Sequence, residues 1–234
     1  MLSRRIALAS AGAIAGATLL SACGGSSSNG LAGQSPRKIL SSALSAMSTA
    51  TSTHLKGSVV TSTGHVTVDL TMFKNGDSDG TFGFSSTPGR LVIVGKTVYF
   101  KGSAKFWQGL SSQGGSSLPA AEAAKLADKW IQLPSSANNG FSSFTLRGFV
   151  QSIKKSSGNY SKVGSRTIDR QAAVGIKKPS QGTLWVATTG TAYPIEAVKS
   201  ASGGNEQVTF SAWNQGTPPK APSGAKSVTQ VLTG

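Results

Sequence analysis

Few residues in this chain are of the types that perform chemistry in proteins. The 234 residues include one cysteine, Cys23, and two histidines, His54 and His65. A serine triad would need one of these histidines as its base, and neither is adjacent to a nucleophile turn of the Gly-x-Ser-x-Gly kind. Two histidines are also too few for an ordinary zinc site. The composition therefore predicts no metal site and a protein that is not an enzyme.

The carboxylates are scattered along the chain, with no obvious pair for acid–base work. Asp77 and Asp79 lie close together in the segment Asn75-Gly76-Asp77-Ser78-Asp79-Gly80. This spacing resembles part of a calcium loop, but the glutamate that binds the ion through both oxygens is missing. We interpret the segment as a hairpin turn.

The chemistry of Cys23 depends on the residues before it. Arg4 and Arg5 give a positively charged start, and residues 6–20 are uncharged and mostly apolar or small. This run is shorter than the about 20 residues that a membrane-spanning helix needs, so a permanent transmembrane anchor is the weaker interpretation. Residues 1–22 are predicted to be a secretory signal peptide.

The cut site Leu20-Ser21-Ala22-Cys23 resembles the lipobox of bacterial lipoproteins. The resemblance implies cleavage before Cys23 and a diacylglycerol on its thiol. It also allows an additional acyl group on the new N-terminal amine of Cys23. Two acyl chains give stable anchoring, so the expected location is the extracytoplasmic face of the cell membrane. The alternative is a secreted protein with a chance cysteine. Ser3-Arg4-Arg5 also resembles a twin-arginine signal, and an ordinary positive n-region explains it equally well.

The charge of the chain limits its partners. It contains 23 basic and 8 acidic residues, and 21 basic residues remain without Arg4 and Arg5. A basic surface favours anionic partners such as lipid headgroups, acidic glycolipids or wall polymers, although lysines that merely keep a polar surface soluble explain it equally well. Nucleic acid is not expected outside the membrane. With Cys23 acylated, no thiol remains for a disulfide, and the core alone must hold the fold.

Hydrophobic periodicity divides the rest of the chain. Residues 23–34 are rich in Gly, Ser and Asn and are predicted to be a flexible lipidated tether. Residues 35–216 are predicted to form one domain, and residues 217–234 a Pro/Ser/Gly-rich tail. The predicted elements are helices over 35–50, 120–129 and 144–153, and strands over 54–62, 66–72, 81–85, 91–94, 97–101, 129–134, 160–167, 171–176, 183–188, 193–200 and 206–213.

Runs of strands with helices gathered in one place indicate an α+β domain with helices on one face of an antiparallel sheet. The order of these elements resembles the LppX/LprG-type lipoproteins of actinobacteria, and that fold is similar to the Lol-type lipoprotein carriers. The resemblance rests on the lipobox, the tether, the opening helix and short strand-and-turn segments at residues 95–101, 129–130, 184–186, 193–194 and 208–214.

This resemblance implies a strongly curved antiparallel sheet, a half-barrel, with helices over its concave side. It also implies an apolar cavity that holds lipid or an acylated glycolipid, and an envelope transporter as a partner. The expected function is to bind lipid and to carry or present it in the cell envelope. No cofactor is expected apart from the covalent lipid on Cys23.

Alternating apolar residues would form the wall of such a cavity, with one helix closing it. The same pattern also makes a filled core, and the alternative is then an envelope interaction or structural lipoprotein. Trp107, Trp130, Trp185 and Trp213 fit a cavity rim or a membrane interface, and simple packing at the sheet edge is the alternative. The predicted wall residues are Val66, Val68, Leu70, Met72, Phe82, Phe84, Val98, Phe100, Phe149, Ile153, Val208 and Phe210.

Overall fold

The computed structural model describes residues 27–61, 64–84, 87–155, 158–179, 181–201 and 204–234. The predicted signal peptide and Cys23 lie outside the described residues. No helix in these ranges is both long enough and apolar enough to cross a membrane.

The first long helix, α1 (Pro36–Thr49), begins where the sequence predicts it. The Ser35 hydroxyl accepts a hydrogen bond from the Lys38 backbone N–H at 3.4 Å, and Pro36 occupies the first turn, where its missing N–H is not needed. Its buried side chains recur at helical spacing, so the helix lays one apolar stripe on the sheet: Ile39, Ala43, Ala46 and Met47.

The strands form one curved, unclosed sheet of twelve strands, which confirms the predicted fold class. Nearly all neighbouring strands are antiparallel, and only β12 runs parallel to its neighbour, β6. The strands are β1 (Ser52–Thr61), β2 (Gly64–Phe73), β3 (Ser78–Phe84), β4 (Thr87–Val94), β5 (Thr97–Gly102), β6 (Ile131–Gln132), β7 (Ser161–Ile168), β8 (Gln171–Lys178), β9 (Gly182–Ala187), β10 (Pro194–Ala201), β11 (Gly204–Ser211) and β12 (Lys226–Ser227).

The sheet consists of two meanders joined side by side. Its order is β12-β6-β5-β4-β3-β2-β1-β11-β10-β9-β8-β7, so chain neighbours are sheet neighbours within β1–β6 and within β7–β11. The two meanders meet where β1 pairs with β11, with Leu55 opposite Phe210. Because Leu55 and Phe210 are both buried in one apolar cluster, the junction continues an apolar face from one meander to the other.

The helices between the meanders are α2 (Ala104–Gln113), α3 (Ala120–Leu126) and α4 (Leu146–Lys155), with a 3-10 helix over Ser135–Phe144. The helix expected over 120–129 ends earlier, and that expected over 144–153 is the 3-10 helix followed by α4. Helix α2 was not predicted. Its Ser103 cap and its buried Phe106 and Trp107 are the signals that could have revealed it.

Two glycines explain where α2 docks. Gly89 of β4 and Gly102 of β5 lie opposite each other in the sheet. A Cβ at Gly102 would lie 2.5 Å from the Phe106 ring, and one at Gly89 would lie 2.6 Å from it. The ring therefore lies flat on backbone that only glycine leaves free.

Both ends of the domain differ from the sequence prediction. Residues expected in the flexible tether are folded: Ser28 forms a β-bridge with Thr189, and Leu31 is buried in a 3-10 helix, Leu31–Gly33. Residues expected in the tail form β12 and α5 (Val228–Thr233). Composition misled here because both segments are held by partners far away in the chain.

Candidate functional site

Ten of the predicted wall residues lie together on one face of the sheet, the inner face, and the other two, Phe149 and Ile153, lie on α4 opposite it. All of them belong to or pack against a single apolar cluster, here called the inner cluster. Leu70, Met72 and Phe100 are fully buried, while Phe149, Ile153 and Val208 are partly buried at its margin. The structure therefore brings the predicted set together, and its role as a lipid-binding wall stays a prediction.

Aromatic rings occupy much of the space between the inner face and the helices. Phe82 lies with its ring centroid 5.9 Å from that of Phe100 and 5.1 Å from that of Phe144. Phe100 in turn lies 5.2 Å from Phe141 and 5.3 Å from Phe106. In this conformation the rings pack as a filled core does.

Sequence reasoning missed some of the side chains that cover the inner face. Phe106 and Trp107 come from α2, and Phe141 and Phe144 from the 3-10 helix. Phe106 was missed together with α2, and Trp107 was named only as a candidate rim residue. Phe144 was expected at the start of the closing helix, whereas Phe141 stands in a Ser- and Asn-rich stretch with no sustained period, so only its contact with the sheet assigns it to the cluster.

The 3-10 helix and α4 form a cover over the inner face, here called the α4 cover (residues 135–155). Its 3-10 part has ten residues, whereas such helices are usually three or four residues long because their hydrogen bonds are poorly aligned. Ser78 of β3 donates a hydrogen bond to the Phe144 carbonyl oxygen at 2.6 Å. Phe141, Phe144 and Phe149 of the cover contact the sheet through their rings, and such apolar contacts are non-directional.

A cleft opens between α1 and α4 beside the inner cluster, here called the α1–α4 cleft. Its volume is about 240 Å³. Met47, Leu146 and Val150, all members of the inner cluster, form its apolar part. The rest of the lining is polar: Ser48, Lys74, Arg147, Gln151 and Lys154.

The outer face of the sheet carries a row of polar side chains. His54 Nε2 lies 2.7 Å from Asp69 Oδ1, and His54 Nδ1 lies 3.3 Å from the Ser211 hydroxyl. Lys56 Nζ lies 3.0 Å from the other oxygen of Asp69. These residues have the types of a serine triad, but Ser211 lies on β11, an interior strand whose N–H groups take part in the ladders with β1 and β10. A serine here therefore has no oxyanion hole from these strands.

The pKa of Asp69 reflects this row. Partial burial of the carboxyl raises its pKa, but hydrogen bonds from Lys56 and His54 and their charges outweigh this effect and lower it. The carboxylate is thus kept ionised by its neighbours across the strands. We interpret the group as a cross-strand ion pair that fixes strand register.

Residues 76–80, Gly-Asp-Ser-Asp-Gly, match the spacing of a nucleophile turn, which the sequence interpretation as a hairpin passed over. The structure supports the hairpin. Ser78 is fully buried at the start of β3. Asp77 Oδ1 accepts the Gly95 N–H at 2.8 Å, which ties this turn to the next one. Within the described residues, no group of three metal-ligating side chains comes together.

The outer face has its own small apolar cluster near β8–β10, formed by Ala173, Trp185, Ala187 and Ile195. Arg166 lies over the Trp185 ring at 4.0 Å and binds Glu196, whose carboxylate also accepts a hydrogen bond from Gln207 at 2.6 Å. Glu196 is only 5% exposed, so this pairing decides whether it is tolerated there.

The tryptophans divide between the two faces. Trp107 is 3% exposed in the inner cluster, and Trp185 is 9% exposed in the outer one, which favours packing over a cavity rim for both. Trp213 stacks on Tyr193 at 4.3 Å, and Trp130 is half-buried. Among the buried side-chain nitrogen and oxygen atoms of the described residues, the indole nitrogens of Trp107 and Trp185 are the two that have no hydrogen-bond partner.

No protein-family model matches the chain, and no curated protein matches its sequence. Solved structures do match. The lipoprotein LppX of Mycobacterium tuberculosis aligns with a TM-score of 0.52 and 17% identity, over 78% of this chain and 96% of that chain. LprF from Mycobacterium bovis aligns with a TM-score of 0.46 and 18% identity, over 79% and 96%. MucB of Pseudomonas aeruginosa, in complex with MucA, aligns with a TM-score of 0.38 and 12% identity, over 79% and 58%. The chain therefore has the fold of the lipoprotein LppX, which confirms at the level of fold the resemblance expected from its sequence.

Proposed function

We propose that this chain is an envelope lipoprotein that binds acyl chains of a lipid or acylated glycolipid between the inner face and the α4 cover. It is anchored through Cys23 at the extracytoplasmic face of the membrane and holds or carries its ligand there. The observation that supports the proposal most is the inner cluster, a continuous apolar face covered by short helices. The fold shared with the lipoprotein LppX agrees with it.

Binding requires that acyl chains replace rings that now fill the interior. The rings of the α4 cover that lie against the sheet are those of Phe141, Phe144 and Phe149. Burial of a methylene group contributes about 0.8 kcal/mol, so ten of them contribute roughly 8 kcal/mol. That is comparable to the burial free energy of two or three partly buried rings, which must move aside to admit the chain. The proposed ligand therefore carries at least about ten methylene groups in its acyl chains, since fewer would leave the cover closed.

The proposed role needs no catalytic group. The ligand is held by burial, and release follows when the α4 cover closes again. A carrier of this kind works without covalent chemistry on the ligand, in keeping with the structural use of His54, Asp69 and Ser78 in this fold. The partner expected for loading or unloading is a transporter of the envelope.

The first test is to identify what the protein carries. The form lacking residues 1–23 would be expressed in an actinobacterial host, purified and extracted with organic solvent, and the extract analysed by mass spectrometry. We expect an acylated species in near-stoichiometric amount. A clean extract, together with no uptake of added long-chain fatty acid, would contradict the proposal.

The second test locates the ligand by tryptophan quenching. One variant keeps only Trp107, with the other tryptophans replaced by phenylalanine, and a matched variant keeps only Trp185. These two indoles lie on opposite faces of the sheet. A fatty acid brominated on its chain should quench Trp107 and spare Trp185. Equal quenching of both would mean that the chain does not bind in the inner cluster.

Anchoring is tested separately. In cells fed a labelled palmitate, the full-length protein should take up label and partition into detergent, and Cys23→Ser should abolish both. Label retained by C23S would disprove the lipid anchor on Cys23. It would not affect the proposal that acyl chains bind at the inner cluster.

A second candidate function is a filled-core lipoprotein whose basic surface binds an anionic partner in the envelope. The ring packing of Phe82, Phe100 and Phe144 favours it, because the described interior is already occupied. It predicts binding to anionic vesicles that weakens steeply with salt, with no uptake of single acyl chains. Uptake of added long-chain fatty acid therefore separates the two functions.

A further inference from the structure

The α1–α4 cleft combines an apolar floor with a basic rim. Met47, Leu146 and Val150 are 1%, 2% and 5% exposed and belong to the inner cluster, so the floor of the cleft is the margin of the proposed acyl-chain site. Lys74 lies just after β2, and Arg147 and Lys154 lie on α4. All three side chains are exposed and line the same cleft.

These cations differ from three basic residues of the outer face. Lys56, Arg90 and Arg166 each have a carboxylate partner. In the part of the chain that the structure describes, Lys74, Arg147 and Lys154 have no carboxylate within salt-bridge distance. Their charges are therefore uncompensated within the described protein.

The backbone contributes little to the sign of the potential here. The last turn of α1, with Met47, and the first turn of α4, with Arg147, both border the cleft. The C-terminal end of a helix has a negative potential and the N-terminal end a positive one, so the effects of the two helix ends on the potential have opposite signs. The three side-chain charges then decide that the cleft attracts an anion.

We propose that the α1–α4 cleft binds the anionic headgroup of the lipid, a phosphate or carboxylate, while its acyl chains reach the inner cluster across Met47, Leu146 and Val150. This inference rests on the proposed function and narrows the ligand to anionic lipids. A floor continuous with the apolar interior suits an amphiphile better than a free anion. Arg147 presents a planar fork to phosphate or carboxylate oxygens, and the two lysines add point charges.

The test compares two probes with the same chains, dioctanoyl phosphatidylglycerol and dioctanoyl phosphatidylcholine, by titration calorimetry on the form lacking residues 1–23. The wild type should bind the phosphatidylglycerol about tenfold or more tightly than the phosphatidylcholine, given the usual contribution of basic residues beside anionic lipid. The triple variant Lys74→Ser, Arg147→Ser, Lys154→Ser should lose this preference and keep its affinity for phosphatidylcholine.

A matched control carries Arg37→Ser, Lys105→Ser and Lys220→Ser, which removes the same charge from exposed sites that do not line the cleft. It should keep the preference. Loss of preference in the control as well, or its survival in the cleft variant, overturns the assignment to this cleft.

The remaining outcomes separate the two proposals. Equal affinity of the wild type for both lipids overturns the headgroup site and leaves acyl-chain binding standing. No binding of either lipid overturns both. Inorganic phosphate alone should not bind measurably at millimolar concentration; if it binds as tightly as the phosphatidylglycerol, the cleft is a free-anion site and the lipid assignment is wrong.

Discussion

On the inner face of the sheet rings lie against rings, whereas on the outer face charged groups of neighbouring strands bind one another. Phe82 and Phe100 are 5.9 Å apart on the inside, and Asp69 binds both His54 and Lys56 on the outside. Ring contacts have no fixed partner and can be exchanged for other apolar atoms. Ion pairs and hydrogen bonds have fixed partners. The inner face is therefore the one that can take a ligand, while the outer face keeps the strands in register.

The two faces also differ in how charge is distributed. The outer-face carboxylates Asp69, Asp79 and Glu196 each bind a basic residue. Three of the chain's eight acidic residues are thus paired on the outside. Among the described residues, the basic side chains at the rim of the α1–α4 cleft have no such carboxylate partner.

The largest expected difference between the faces is in stability. Phe100→Ala removes a fully buried ring that lies against Phe82, Phe106 and Phe141. We expect the free energy of unfolding to fall by about 3–5 kcal/mol. Thr81→Ala on the outer face, as a matched control, should change it by less than about 0.5 kcal/mol. Denaturant unfolding measures both, and equal effects would show that the inner rings are not a packed core.

The buried ion pair of the outer face should rank second. Glu196→Gln removes the charge that binds Arg166 and Gln207, and we expect a loss of about 1.5–3 kcal/mol in the free energy of unfolding. Glu206→Gln is the matched control, because its pair with Lys199 is longer, at 3.6 Å, and more exposed. It should cost at most about 1 kcal/mol. A larger effect for E206Q would remove the distinction between the two pairs.

The docking of α2 gives a third comparison within the inner face. Gly102→Ala places a methyl group 2.5 Å from the Phe106 ring, which is fully buried and has little room to move. We expect a loss of about 1–3 kcal/mol in the free energy of unfolding from overpacking. Gly109→Ala, where the nearest side-chain atom is 3.5 Å from the new Cβ, should be neutral or slightly stabilising because alanine favours the helix. Denaturant unfolding of both variants makes the comparison, and a neutral G102A would show that α2 does not depend on this close approach.

The smallest expected effect concerns pH. Because the pKa of Asp69 is lower in the folded chain than in the unfolded chain, its contribution to stability is present at neutral pH. It is lost as the pH falls through the folded-state pKa. Asp69→Asn should therefore lower the free energy of unfolding by less than about 1 kcal/mol at pH 7, since the pair is partly exposed.

The same variant should approach the wild type once the pH falls below the folded-state pKa of Asp69, where the carboxyl is protonated in both the folded and the unfolded chain. Unfolding by denaturant across this pH range provides the measurement. Asp169→Asn, in an exposed turn, serves as the control and should follow the wild type throughout. If the free energies of unfolding of D69N and the wild type differ by the same amount at pH 7 and below the folded-state pKa, the pairing of Asp69 with His54 and Lys56 does not cause the difference in stability.

The sequence predicted most of the sheet because burial and chain period agree there. In β2, Val66, Val68 and Leu70 alternate with polar residues, and the structure buries that set. Helix α2 escaped prediction because its two apolar rings stand among Ser, Gly and Gln, and because its docking depends on Gly89 and Gly102 elsewhere in the chain. The folded ends escaped for the same reason: their partners are more than ninety residues away.

The candidate site was predictable as a set of residues but not as a shape. Alternation identifies which side chains of β2 and β3 face inward, and the inner cluster contains them. It carries no information on whether Phe141 and Phe144 fill the space opposite them, because that depends on how the chain returns after α3. The cleft between α1 and α4 likewise joins residues more than ninety positions apart.

The folded N-terminal arm sets how far the domain can travel. Asn29 donates through its side-chain amide to the carbonyl oxygens of Ala187 and Gly190, each at 3.0 Å, beside the bridge from Ser28 to Thr189. With a lipid on Cys23, as proposed, four residues lie between the anchor and Ser28, and the five Cα-to-Cα steps span at most about 17 Å. This length is shorter than the diameter of a domain of this size. The anchored protein would therefore stay close to one membrane. A ligand that is destined for another layer of the envelope must then be collected by a partner protein that approaches this membrane.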